Sequence, residues 1–216
     1  MPDKNNRLDV KMLIFDWSGV ISDDRMPVYE SNMRVMEAHG IKRMSFEEWL
    51  PQTKLSAAEF FASQGLVGDT DTLNKEYSDM LAVVKKDGIQ TVVYEDAKTV
   101  LEKLSLMGKE LIVISSHPQV HLLKEAQSYS IKKFFSKFVG SVKNKAQELS
   151  DLCSKEEAAP DKTAYVGDTI YDIQAAKTAR VHSIGITTGY HVRERLLAEK
   201  PEFVVDSLSE LRKLVH

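Results

Sequence analysis

The sequence predicts an α/β protein: a parallel sheet covered on both faces by helices, with a helical module inserted after its first strand. Three observations carry this. Short apolar runs rich in β-branched residues alternate with segments of helical spacing through most of the chain. The region from about Met26 to Gly88 breaks that alternation and reads as helix after helix. Polar residues able to do chemistry stand directly behind the apolar runs, where open parallel sheets bind ligands.

In chain order, the apolar runs are VKMLIF (10–15), ELIVIS (110–115), KFVGSV (137–142), TAYVG (163–167), HSIGIT (182–187) and EFVVD (202–206). Helical spacing fills Ala97 to Leu106, Gln119 to Tyr129, Lys145 to Cys153 and Ile170 to Ala179. Strand and helix in alternation favour a parallel sheet. The insert offers three helical stretches, VYESNMRVMEAHG, SFEEWLPQTKLSAAEFFASQG and TDTLNKEYSDMLAVVKKDG, each ending at a glycine. This predicts a core of residues 1–24 and 89–216 and a helical cap of residues 25–88, with hinges near Ser22 to Pro27 and Asp87 to Glu95.

Composition narrows the function classes. A chain of 216 residues, 43% hydrophobic and 28% charged, suffices for one sizeable core plus a smaller module. Its 29 basic and 32 acidic residues are interspersed, so a net charge of -3 gives no electrostatic case for binding nucleic acid. The single Cys153 has no internal disulfide partner and falls at a core position of a helical pattern. The leading apolar run is too short for a signal peptide or a membrane span, which makes a soluble cytoplasmic protein the expectation. Oligomeric state is not legible.

The strand ends bring together Asp16 and Ser18, Ser115 and Ser116, Lys143 and Lys145, and Asp168 and Asp172. That set suits phosphoryl transfer. A carboxylate attacks phosphorus, a cation held by neighbouring carboxylates screens the like charges, and hydroxyl and ammonium groups bind the non-bridging oxygens. Asp168 and Asp172 lie four apart in GDTIYD, so a helix beginning near Thr169 turns both toward one site. Taken singly, each residue also has a structural reading: a turn cap, a loop hydrogen bond, a solvated lysine, or acids at a helix N-terminus.

The order FDWSGVISD, LIVISSHP, Lys145 and YVGDTIYDIQAAK resembles the haloacid dehalogenase-like hydrolase superfamily, and the tail from VGDTIYD to DSLSEL is similar to its phosphoglycolate phosphatase branch. The resemblance implies a Rossmann-like core with a cap domain, a Mg2+ cofactor and a small phosphorylated metabolite as substrate. It implies Asp16 as nucleophile, with Mg2+ held by Asp16, the main-chain carbonyl of Ser18, Asp168 and Asp172. Ser115 and Ser116 would bind phosphate, and Lys145 would neutralise charge. Lys145 is preferred to Lys143 because it opens an amphipathic run.

Ser18 departs from the pattern, because phosphatases of this family carry a second aspartate there as proton carrier. A serine hydroxyl does not titrate near neutral pH, and losing such a group removes ~10²- to 10⁴-fold in rate. Three readings follow: a slow or specialised phosphatase, a C–P bond hydrolase similar to phosphonoacetaldehyde hydrolases with Lys54 as the cap lysine, or a phosphate-binding regulatory protein without turnover. Dehalogenases lack the acid too, but the retained Asp168 and Asp172 speak against them. His117, after the phosphate-binding serines, is expected on a solvent-exposed loop, and Trp49, Phe60 and Phe61 in the cap core.

Overall fold

The computed structural model describes residues 7–54, 56–155 and 159–216. Its elements run β1 (Met12–Phe15), β2 (Ser22–Asp23), α1 (Arg25–Ala38), α2 (Phe46–Trp49), α3 (Ala57–Ser63), α4 (Thr70–Lys86), β3 (Val92–Val93), α5 (Ala97–Leu106) and β4 (Glu110–Ile114). There follow α6 (Gln119–Ser128), β5 (Lys137–Val139), α7 (Lys145–Lys155), β6 (Thr163–Gly167), α8 (Ile170–Ala179), β7 (His182–Ile186), α9 (Arg193–Ala198), β8 (Phe203–Val205) and α10 (Leu208–Leu214).

Among the described residues, six strands form one sheet in the order β5-β4-β1-β6-β7-β8, every pair parallel. β1 lies between β4 and β6, with Phe15 opposite Val113 on one side and Val166 on the other. The strands read as continuous apolar runs because both faces are covered. On one face Leu13, Phe15, Val113 and Val166 pack with Val100, Leu104, Leu122 and Leu211 from α5, α6 and α10. On the other, Met12, Ile14, Ile112 and Tyr165 pack with Leu149, Leu152, Cys153 and Ala176 from α7 and α8. Cys153 is thus a core residue, and burial raises its thiol pKa.

The chain divides into two compact units, residues 1–22 with 93–216, and residues 23–92. β2 and β3, at the crossing points, form a separate two-stranded ribbon. Within the helical unit, Met33, Val35, Trp49, Phe60, Phe61 and Val84 are buried, and Trp49 packs 5.4 Å from Tyr29 and 5.6 Å from Phe46 between ring centroids. Among the described residues no helix is long and apolar enough to cross a membrane.

Local details differ from the sequence reading. The stretch 45–65 is not one helix. Ser45 and Glu48 cap α2 reciprocally, Pro51 belongs to a 3₁₀ turn over Leu50–Gln52, Thr53 is extended, and Ser56 caps a new helix. α1 begins earlier than expected, at Arg25, because Pro27 is accommodated in a first helical turn. The third predicted strand, observed as β5, ends at Val139, since Ser141 takes a left-handed backbone (φ 58°) that no strand continues.

Candidate active site

The sheet order sets the carboxyl ends of β1, β4 and β6 side by side, and each delivers a polar residue in its first step beyond the ladder. The Asp16 amide donates to Val166 O (2.9 Å) and that of Ser115 to Val139 O (2.9 Å), so both side chains leave from backbone still paired to the sheet. Asp168 follows β6, Asp172 sits in the first turn of α8, and Lys145 opens α7.

Lys145 Nζ donates to Asp16 Oδ2 and to Asp172 Oδ1, each at 2.7 Å. Asp16 Oδ1 accepts from the Trp17 amide at 2.7 Å. Asp172 Oδ2 accepts from the Thr169 amide (3.0 Å) and hydroxyl (2.6 Å), while its Oδ1 accepts from the Tyr165 hydroxyl (3.2 Å). Asp168 Oδ2 accepts from the Tyr190 amide at 2.7 Å. Carboxylate oxygens of Asp16, Asp168 and Asp172 all lie within 4.8 Å of one another, and the three residues are buried.

Three buried acids against one lysine leave an excess of negative charge, and the proton affinities reflect it. Burial raises the Asp16 carboxyl above its ordinary value, opposed by Lys145 and reinforced by Asp172. Asp168 is raised well above, first by burial and then by the charges of Asp172 and Asp16. Burial acts on Asp172 in the same sense, but Lys145 and the Thr169 donors outweigh it and hold this carboxyl below its ordinary value. Burial also works against the Lys145 charge, yet Asp16 and Asp172 keep the ammonium well above its usual range. An all-oxygen cluster with surplus charge fits a small hard dication such as Mg2+.

Glycines let backbone reach Asp168. A Cβ on Gly189 would stand 2.0 Å from its Oδ2 and one on Gly19 2.3 Å, closer than atoms can approach. Lys145 is brought in by the loop after β5, whose Ser141 and Val142 amides donate to the carbonyls of His117 (2.8 Å) and Ser115 (3.1 Å).

Asp16, Ser115, Lys145, Asp168 and Asp172 therefore meet at one place. Lys143 is exposed and forms no part of the cluster. Ser18 lies two residues beyond Asp16, partly buried, bridged to Ser22. Ser116 is exposed beside buried Ser115. Lys54 is exposed and belongs to the helical unit, between the 3₁₀ turn and α3.

One expectation fails. His117 is not on an exposed loop: its side chain is only 14% exposed and its Nε2 lies 3.6 Å from Glu125 Oε2, because the Ser141 amide ties the His117 carbonyl down against the core. Sequence reading gave no role in the site to the side chains of Tyr165, Thr169, Tyr190 and His191. His191 is buried and its Nδ1 accepts from the Ile170 amide (3.0 Å), capping α8 from outside the helix. Only Thr169 had a local signal, a hydroxyl residue three before an acid at a helix start. The others become partners through long-range folding.

The sequence matches the family described as haloacid dehalogenase-like hydrolase over residues 13–186. It is 27% identical over 222 residues to a phosphoglycolate phosphatase of Vibrio parahaemolyticus, an alignment covering 96% of each chain. A second phosphoglycolate phosphatase, from Pasteurella multocida, is 31% identical over 126 residues, 56% of each chain. The fold is shared with a haloacid dehalogenase-like family hydrolase from Streptococcus pneumoniae, at a TM-score of 0.79 and 18% identity, over 94% of this chain and 97% of that one.

Proposed function

The chain belongs to the haloacid dehalogenase-like hydrolases, and from that premise we propose that it is a Mg2+-dependent phosphatase of small phosphorylated metabolites, similar in substrate class to the phosphoglycolate phosphatases. The observation that carries the reading is Asp16. One of its oxygens is held by the Trp17 amide and the other by Lys145, beside a cluster of acids that can hold a metal.

In this reading Asp16 attacks phosphorus, the bond to the leaving oxygen breaks, and an aspartyl phosphate forms. Water then attacks that phosphorus and releases inorganic phosphate and the free carboxylate. Lys145 and the Ser115 hydroxyl bind the non-bridging oxygens and offset the charge that builds on them, with Ser116 at the mouth of the same pocket. Asp16, Asp168, Asp172 and the main-chain carbonyl of Ser18 would hold Mg2+, which when bound screens the repulsion between nucleophile and phosphate. Thr169 and Tyr165 fix the Asp172 rotamer, and Tyr190 that of Asp168. Residues 25–88 serve as the cap domain that sets substrate choice, with Lys54 as a cation for an acidic substrate, and the protein works in the cytoplasm.

Ser18 supplies no titrating proton carrier. Substrates with good leaving groups therefore suit this site best, and turnover of alkyl phosphates is slow.

The test is hydrolysis of p-nitrophenyl phosphate, acetyl phosphate and phosphoglycolate, with and without Mg2+, by wild type, Asp16→Asn and Ser18→Asp. Asp16→Asn is expected to be inactive and Ser18→Asp to gain steady-state turnover. Full activity in Asp16→Asn overturns the mechanism; wild type inactive on all three overturns the function. A phosphonoacetaldehyde adduct trapped by borohydride on Lys54 would instead establish C–P bond cleavage.

A further inference from the structure

We propose that Glu125 is a positioning residue for the nucleophile: by holding the Trp17 indole it fixes the peptide that hydrogen-bonds Asp16. The inference rests on Asp16 being the nucleophile.

Trp17 follows Asp16 directly and is fully buried. Its indole Nε1 donates to Glu125 Oε2 at 2.8 Å. Its ring stacks on Tyr129 at 6.1 Å and 11°, and meets Phe138 edge-on at 6.3 Å. Pinned on its face, edge and polar tip, the side chain has one available position. Its main chain then organises the loop. The Trp17 amide donates to Asp16 Oδ1 at 2.7 Å, and its carbonyl accepts from the Ile21 and Ser22 amides at 2.9 and 3.0 Å. Displacing the indole displaces the peptide that orients the attacking carboxylate.

Glu125 lies on α6, the helix that leads away from the phosphate-binding serines, so it ties two catalytic loops together. On its other side stands His117, whose Nε2 lies 3.6 Å from the same Oε2 and has no hydrogen-bond partner among the described residues. The His117 amide donates to Ser115 Oγ at 3.2 Å. Trp17 and Glu125 are 108 positions apart and a buried indole needs an acceptor, so a purely structural role would require only some acceptor. A positioning role requires that the reaction feel its loss while substrate binding does not.

The experiment compares Glu125→Leu, Glu125→Gln and Trp17→Phe with wild type. The amide and indole proton resonances of Trp17 are followed by NMR, and kcat and KM are measured with p-nitrophenyl phosphate and Mg2+. Glu125→Leu removes the acceptor, Glu125→Gln keeps one, and Trp17→Phe removes the indole N–H together with part of the ring that packs on Tyr129 and Phe138. Expected are upfield shifts of both Trp17 resonances in Glu125→Leu, with kcat lower by about 10- to 100-fold and KM unchanged, as for a small misplacement of a reacting group. Glu125→Gln should restore both readouts toward wild type, and Trp17→Phe should reproduce the kcat loss even if Glu125→Leu does not fold. An unmoved Trp17 amide in folded Glu125→Leu, or unchanged kcat in Trp17→Phe, overturns the proposal. If wild type turns over nothing, the phosphatase reading has failed separately and the Trp17 amide shift alone decides.

Discussion

The Lys145 ammonium lies 2.7 Å from an oxygen of Asp16 and 2.7 Å from one of Asp172, one cation shared by two buried acids, the first directly after β1 and the second in the first turn of α8. Replacing it with methionine keeps the volume and leaves both carboxylates without their counter-charge. Lys145→Met is expected to lower stability by about 3–5 kcal/mol, the usual cost of stripping one member from a buried ion pair. Mg2+ should recover part of that, and phosphatase turnover should fall by about 10²- to 10³-fold. Urea unfolding with and without Mg2+, together with initial rates, measures all three.

Metal binding should release protons. Asp168 holds its proton well above the ordinary carboxyl range because burial and two neighbouring negative charges oppose ionisation. A carboxyl whose folded pKa is raised binds protons more tightly than in the unfolded chain. It favours folding at low pH, and that contribution is lost as pH rises from the unfolded value of 3.8 through the folded one. Coordination requires the ionised form. Calorimetric titration of Mg2+ across a range of pH in buffers of different ionisation enthalpy is expected to show net proton release that grows as pH is lowered; heats independent of buffer at every pH would contradict it.

Gly189→Ala tests the approach of backbone to Asp168. The new Cβ would stand 2.0 Å from Oδ2, so either the carboxylate turns or the Tyr190 amide that supports it withdraws. Mg2+ affinity should fall by about 10- to 100-fold, as when a supporting partner of a metal ligand is lost. The activating Mg2+ concentration, read from rates or by calorimetry, checks this.

His191 ties stability to pH. Burial, followed by the Arg195 charge, depresses its pKa from 6.5 to about 4, so it stays neutral and its Nδ1 accepts from the Ile170 amide. Below pH 6.5 the unfolded chain takes up a proton that the folded chain refuses, so stability falls with pH between 6.5 and about 4. His191→Asn should be less stable than wild type at pH 7.5 and close to it near pH 4.5. A constant difference across that range would show that the imidazole does not titrate this way.

The sequence made the sheet legible because buried parallel strands are continuous apolar runs, and the carboxyl-end rule then pointed from each run to the next polar residue. Asp16, Ser115, Asp168 and Asp172, singled out in that way as candidates, do stand at neighbouring strand ends, and Lys145 rather than Lys143 reaches the acids. The support around them was not legible. Tyr165 reads as a strand residue, yet its hydroxyl reaches Asp172 because β6 runs beside the first turn of α8. Glu125 and His117 look like ordinary loop and helix polar residues until α6 folds back on Trp17. Within the insert, the pattern continued across Pro51 and Thr53 as if helical, because apolar period survives a break that backbone dihedrals do not.

The two glycines against Asp168 have a consequence for anyone redesigning this protein. A library that diversifies residues 19 and 189 would mostly sample disrupted acidic clusters, because no side chain fits there while the Asp168 carboxylate keeps its place. Useful variation has to be sought at residues whose side chains face open space, such as Ser116, leaving this frame invariant.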